Sequence, residues 1–132
     1  MLNGLKPGMA AAVSTVVTEA MTARLAGAPI HPVLATTVMI EWMEWASRKL
    51  ILPYLEPDED AVGYRVEVVH LEPTRVGEPF TATAELLAIE GSRVETAVWA
   101  ENPRGRIGHG RITQVVLKKA DLARRFQSSQ AP

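Results

Sequence analysis

The segment from residue 36 to residue 52 limits the possible folds more than any other part of this chain. It predicts a helix, since Thr36 or Thr37 can serve as the N-cap and Pro53 ends the helical pattern. Apolar residues occur on nearly all sides of this helix: Val38, Met39, Ile40, Trp42, Met43, Trp45, Ala46, Leu50, Ile51 and Leu52. A helix of this kind is normally surrounded by other structure, so we expect the rest of the chain to wrap around it.

The remaining sequence predicts mainly β-strands. β-Branched residues favour a first strand over residues 10–18, and alternating apolar residues after the helix predict four more. These four strands cover residues 62–71, 80–89, 93–101 and 106–118. Residues 19–35 give no clear prediction, because Pro29 and Pro32 interrupt any long helix there.

We therefore predict one α+β domain over residues 1–132, in which an antiparallel β-sheet wraps around one long central helix. The four later strands are expected to form a meander, and the tail from about residue 120 to residue 132 is expected to be frayed. One face and one edge of such a sheet stay uncovered. A homodimer or a dimer of dimers is the usual way to cover them.

The composition excludes several functions. The chain has 132 residues and a formal net charge of −1, without a basic stripe, so nucleic acid is not an expected partner. It contains no cysteine, which removes disulfides, thiolate zinc sites and cysteine nucleophiles. No signal peptide is apparent, and no apolar run reaches about 18 residues, so we expect a cytoplasmic protein without a membrane partner.

Three residues offer the most reactive chemistry: Thr36 and Glu44 on the predicted helix, and His70 late in a predicted strand. A hydroxyl, a carboxylate and an imidazole can together hydrolyse an activated acyl group. The structural alternatives are an N-cap for Thr36 and an ion pair with Arg48 for Glu44. For His70 the alternative is a half-buried ring bonded to a backbone carbonyl.

The spacing of these residues sets geometric conditions. His70 is expected to face the helix within reach of Glu44, and strict alternation gives it four companions on that face: Val62, Tyr64, Val66 and Val68. Thr36 and Glu44 lie about 12 Å apart along a continuous helix, so they cannot touch directly. We hypothesise that one site uses these two residues from different subunits, or that Thr36 lies on a loop folded back before the helix.

Eight short segments between about residues 5 and 120 match a known family in order and spacing. They are His31–Thr36, Met43–Ala46, Pro53–Pro57, Val62–Gly63, Val69–His70, Thr81–Leu86, Glu90–Arg93 and Ile107–Gly110. Together they resemble the hot-dog-fold thioesterases, in particular the branch that includes fluoroacetyl-coenzyme A thioesterase. The resemblance implies the hot-dog fold, a catalytic set of Thr36, Glu44 and His70, and a substrate-binding Gly63 near the acyl group.

Some positions depart from that branch. Its fluoroacetate-selective members carry aromatic residues before the matching threonine, whereas no phenylalanine precedes Thr36 here. Ile112 and Gln114 stand where relatives often carry histidine and arginine. Gly63 lies seven residues before His70, so either a bulge returns it to the same face or it belongs to another pocket wall, such as the partner subunit's. The resemblance therefore implies a general acyl-thioester hydrolase.

The predicted function is hydrolysis of an acyl-coenzyme A (acyl-CoA) or acyl-carrier thioester to a free acid and a thiol. Glu44 would act as general base or nucleophile, with His70 and Thr36 assisting, so direct attack by water and a covalent anhydride both stay open. The alternative is a non-catalytic acyl-CoA binding module on the same fold, which the residues at Ile112 and Gln114 favour. We expect no metal and no cofactor, because coenzyme A enters only as part of the substrate.

Overall fold

The computed structural model describes residues 2–130 and the side chains of residues 2–127. In chain order its elements are β1 (Ala10–Val16), β2 (Thr22–Leu25), β3 (Ala28–Leu34), α1 (Thr36–Ile51), β4 (Glu59–His70), β5 (Pro79–Glu90), β6 (Arg93–Asn102), β7 (Gly105–Lys118) and α2 (Lys119–Gln130). The predicted helix and the five predicted strands are confirmed. The largest shift is at the start of β4, which begins at Glu59 rather than at residue 62.

The main sheet has five strands in the order β1-β5-β6-β7-β4, and all neighbours are antiparallel. The predicted meander is therefore right for β5, β6 and β7 but wrong for β4, which pairs with β7 at the far edge of the sheet. The physical reason is that β1 and β6 occupy both edges of β5. The connection after His70 must therefore carry the chain across the sheet.

Helix α1 crosses one side of the main sheet, which we call the inner face. Met39, Met43 and Ala46 are fully buried in a core shared with β5, β6 and β7, whose members include Phe80, Ala82, Ala84, Val98 and Ile112. The helix packs mainly over β1, β5 and β6. One side of the helix stays open, since Trp45 of α1 and Val66 of β4 are 51% and 41% exposed. The inner face of β4 thus stays partly open.

A hairpin formed by β2 and β3 occupies the segment that gave no clear prediction. Its turn residues Ala26 and Gly27 both have positive φ, +50° and +80°, as a two-residue type I′ turn requires. Ala-Gly is a weak signal for such a turn, and Pro29 and Pro32 argue against a strand. The hairpin tolerates both prolines because β3 pairs beyond the hairpin only at its end, where Val33 and Leu34 meet residues 74 and 75.

The end of the chain also differs from expectation. A frayed tail was predicted from about residue 120, but α2 extends over Lys119–Gln130, while residues 131 and 132 lie outside the described part. The start of α2 is fixed because the Lys119 amide donates to the Asp58 carbonyl and the Lys118 ammonium pairs with the Asp58 carboxylate at 2.9 Å. Within the described residues, no helix combines the length and apolar character needed to cross a bilayer.

Candidate active site

Thr36 and His70 meet at the point where α1 begins and β4 ends. The Thr36 hydroxyl and the His70 Nδ1 are 2.7 Å apart, a hydrogen bond within one chain. Thr36 is the first residue of α1, and the N-cap position belongs to Ala35, which makes no side-chain capping bond. Both the N-cap interpretation of Thr36 and the loop folded back before the helix are therefore wrong. The Thr36 hydroxyl instead forms a hydrogen bond with the imidazole of His70.

The other ring nitrogen of His70 has a different environment. Nε2 is buried and has no hydrogen-bond partner among the described residues. Burial lowers the pKa of His70 from its ordinary 6.5, and the nearby Glu72 backbone offsets part of this effect without giving Nε2 a bond of normal geometry. The interpretation of His70 as a ring satisfied by a backbone carbonyl is not supported. At neutral pH this imidazole is neutral and has one free nitrogen.

The lowered pKa of His70 predicts how stability depends on pH. Below about pH 6.5 the unfolded chain takes up a proton at His70 more readily than the folded chain does. The free energy of unfolding should therefore fall as pH drops through 6.5, and fall further until the folded pKa is passed. Thermal unfolding between pH 7.5 and 5 should show a smaller loss of Tm for His70→Gln than for the wild type. Equal losses in both proteins would contradict this assignment.

Glu44 lies two turns further along α1, beside Gly63 of β4. A Cβ atom built on Gly63 would be 3.5 Å from Oε1 and 3.6 Å from Oε2 of Glu44 in the same chain. Only a residue without a side chain leaves the space next to this carboxylate open. Gly63 thus lies on the inner face and against Glu44. This favours a bulge that returns Gly63 to the face of His70 over a place in another pocket wall.

A β-bulge at Tyr64 brings Gly63 to this face. Gly63 pairs with Gln114 of β7, whereas Arg65 pairs with the next residue along, Thr113. The extra residue reverses the alternation, so Gly63 shares the inner face with Val66, Val68 and His70. The predicted alternation is therefore right for Val66, Val68 and His70. It is wrong for Val62 and Tyr64, which fall outside the inner face.

The structural alternative for Glu44, an ion pair with Arg48, is wrong. The Arg48 guanidinium pairs with Asp60 at 2.9 Å and donates to the Ala61 carbonyl at 2.8 Å, because the start of β4 runs beside this turn of α1. Glu44 is half-buried and makes no hydrogen bond or ion pair with any residue that the structure describes. Its carboxylate is available for chemistry.

Glu44 and His70 of one chain do not meet. Along β7, the partners of Gly63 and His70 are Gln114 and Gly108, six residues apart, which corresponds to about 20 Å. The prediction that His70 comes within reach of Glu44 therefore fails inside a single chain. His70 lies on the inner face of β4 and Glu44 packs against that face from α1, and an open cleft of about 570 Å³ adjoins the stretch between them, lined by residues 66–69 and 109–111.

The same two regions hold the unsatisfied polar atoms of the described core. Two buried side-chain atoms there lack a hydrogen-bond partner: Nε2 of His70 and Oε1 of Gln114. Gln114 is the cross-strand neighbour of Gly63. Such atoms are rare in folded proteins, and each of them requires an explanation such as a catalytic role. The sequence offered one signal for Gln114, a polar residue at an inward position of an otherwise apolar strand face.

Two glycines of the inner face make different demands on the fold, which gives a matched prediction. A Cβ on Gly110 would come within 1.9 Å of the Glu67 carbonyl oxygen, whereas a Cβ on Gly63 meets only ordinary van der Waals distances. We expect Gly110→Ala to lower the free energy of unfolding by about 1–3 kcal/mol and Gly63→Ala to leave it nearly unchanged. Denaturant unfolding of both variants tests this, and equal stability of the two would contradict it.

Comparison with known proteins finds similarities that cover most of this chain. A family model described as fluoroacetyl-CoA-specific thioesterase matches residues 17–120. A curated relative, the fluoroacetyl-CoA thioesterase of Streptantibioticus cattleyicolor, is 39% identical over 85 residues, which is 64% of this chain. The match spans 61% of that relative's length.

Two solved structures resemble the whole chain. A Thermus thermophilus hypothetical protein, described as a thioesterase superfamily member, has a TM-score of 0.93 at 40% identity over 97% of this chain and 95% of its own. The fluoroacetyl-CoA thioesterase FlK has a TM-score of 0.90 at 29% identity over 98% of this chain and 100% of its own. These likenesses confirm the predicted hot-dog fold.

Proposed function

This chain belongs to the family of the fluoroacetyl-CoA-specific thioesterases, and on that premise we propose that it hydrolyses an acyl-CoA thioester to a free acid and coenzyme A. The observation that carries the proposal is that a Thr36-bound imidazole and an unpaired Glu44 carboxylate both border the open inner face of β4. The acyl group is left general, because the segment before Thr36 has no phenylalanine. Coenzyme A enters only as part of the substrate. The predicted cytoplasmic location stays a prediction.

His70 stabilises the oxygen of the thioester in this proposal. If the Thr36 hydroxyl donates to Nδ1, the ring proton resides on Nε2, the atom that has no partner in the described part of the chain. A neutral imidazole can then donate this proton to the oxygen that becomes negative as the carbonyl carbon is attacked. Burial, which lowers the pKa of His70, supports the neutral form.

Glu44 drives the bond-making step. As a general base it takes a proton from water, whose oxygen bonds to the acyl carbon. As a nucleophile it forms a mixed anhydride, which water then hydrolyses. Label found in the Glu44 side chain after a single turnover in ¹⁸O-labelled water would establish the covalent route.

A homodimer would bring together Glu44 and His70, which do not meet within one chain. In the described part of the chain, β1 and β4 form the two edges of the main sheet. The edge at β1 is blocked by Lys49, whose ammonium donates to the Ala12 carbonyl at 2.9 Å. The edge at β4 carries the exposed apolar residues Val66 and Val69, 41% and 52% exposed. We therefore propose that two β4 strands pair across a two-fold axis.

The antiparallel register then determines which residues meet. A two-fold axis at Glu67 would place Val66 opposite Val68 of the partner subunit and, beyond the bulge at Tyr64, Gly63 opposite His70 of the partner subunit. Residues directly opposite each other share a face of the sheet, so Glu44 beside Gly63 would approach the partner's His70. Each dimer would have two such composite sites. The proposed dimer agrees with the hypothesis that Thr36 and Glu44 of one site come from different subunits.

A thiol-release assay tests the proposed function. Purified enzyme is supplied with a panel of acyl-CoA substrates that differ in chain length and include aryl groups, and released thiol is measured. Turnover of at least one substrate supports the proposal. Tight binding of a thioester without release of thiol would instead select the alternative, a non-catalytic acyl-CoA binding module.

A further inference from the structure

Gln114 is a polar residue in the core that forms no hydrogen bond in the described structure. Its side chain lies on the inner face of β7 and is 2% exposed, and its Oε1 has no partner. Neighbouring inward positions on the strand, Ile112 and Val116, are buried and apolar. A buried amide without a partner destabilises the fold relative to an apolar residue of similar shape. Its presence therefore points to a partner that the protein alone does not supply.

The surroundings of Gln114 indicate where that partner lies. Its cross-strand neighbour on β6 is the apolar Val94, and its neighbour on β4 is Gly63, which has no side chain. Glu44 lies directly over Gly63, with both carboxylate oxygens about 3.5 Å from where a Cβ would be. Adjacent strands are about 4.8 Å apart. The unpaired amide and the unpaired carboxylate thus both neighbour Gly63, a position that carries no side chain.

A water molecule matches this pair of groups. Its two O–H bonds need two acceptors, and a water held in a protein interior makes about three hydrogen bonds. Glu44 can accept one O–H and Oε1 of Gln114 the other, which leaves a lone pair free for the acyl carbon. Arg48 does not compete for the carboxylate, because Asp60 and Ala61 engage its guanidinium.

We propose that Gln114 and Glu44 together hold the attacking water, so that hydrolysis proceeds by direct attack rather than through an anhydride. This inference rests on the proposed function. The water oxygen bonds to the acyl carbon as its proton passes to Glu44. The carbon–sulfur bond then breaks, and Glu44 returns the proton to the departing thiolate. Gln114 stays chemically unchanged and fixes the direction of attack.

Gln114→Met tests the proposal, because methionine has a similar length and no hydrogen-bonding amide. We expect kcat to fall by about 100-fold, a typical result of losing the orientation of a reacting group, while KM changes little. We also expect Tm to rise, because an unsatisfied buried amide is gone. Gln114→Asn keeps the amide but withdraws it by one methylene, so kcat should fall without the gain in Tm.

A matched control separates this role from packing. Thr96 is also fully buried, but its hydroxyl is satisfied by Ser47 at 2.9 Å and by the Ile112 carbonyl at 3.2 Å. Thr96→Val should therefore lower Tm and leave kcat close to the wild-type value. Wild-type kcat in Gln114→Met and Gln114→Asn would overturn the inference, as would ¹⁸O label in Glu44 after one turnover. A wild-type enzyme inactive on every acyl-CoA would instead overturn the proposed function.

Discussion

Replacement of Glu44 by glutamine is expected to lower kcat/KM by at least about 100-fold, the usual size of a general acid–base contribution. Glutamine has nearly the shape of glutamate but can neither take up the proton of water nor attack the acyl carbon. Glu44 has no ion pair in the described structure, so the substitution removes no structural contact. Steady-state hydrolysis of the best acyl-CoA substrate, measured together with Tm, tests both statements.

Glu41 provides the control for this experiment. It lies one turn earlier on α1, is exposed, and borders the same open groove as Glu44. Glu41→Gln removes an equal charge at nearly the same place, so a general electrostatic effect on substrate binding would appear in both variants. We expect near wild-type activity for Glu41→Gln. Equal activity of the two variants would remove Glu44 from the mechanism.

Mixing two inactive variants is expected to restore activity. Glu44→Ala and His70→Ala should each lower kcat/KM by at least about 100-fold without loss of the fold. In a mixed dimer, one composite site contains both substitutions and the other contains neither. Random exchange of subunits makes about half of the dimers mixed, so the mixture should reach roughly a quarter of the wild-type activity.

The mixing experiment also excludes the alternative directly. If Glu44 and His70 of one chain formed a site, every site in a mixed dimer would still contain one substitution, and activity would stay at the level of the single variants. The two proteins should be unfolded and refolded together, with each variant refolded alone as the control. No recovery in a sample that contains mixed dimers would contradict the composite site.

Local patterns predicted most of the fold. Apolar residues all round residues 36–52 give α1, β-branched residues give β1, and alternation gives the other four strands of the main sheet. The pairing of β4 with β7 could not be predicted, since alternation identifies a face and not a neighbour. The β2–β3 hairpin was missed because its turn is Ala-Gly and its second strand contains two prolines.

The candidate site could be predicted only in part from the sequence, for the same reason. Thr36, Glu44, His70 and Gly63 stand out by residue type and by resemblance to a family, and these are properties of the sequence alone. Their arrangement depends on a single inserted residue at Tyr64, which turns Gly63 to the face of His70. Residue type alone does not predict such a bulge, because the position of the bulge follows from the register that β4 adopts against β7.

The sequence by itself therefore determined the helix, the strands and the chemical groups, because periodicity and residue type act over a few neighbouring positions. Only the tertiary structure decided that Thr36 binds His70, that Arg48 pairs with Asp60 and not with Glu44, and that Gln114 lies buried beside Gly63. These contacts join residues that are distant along the chain. Strand order and register bring them together through the competition of many groups for the same core and the same partners.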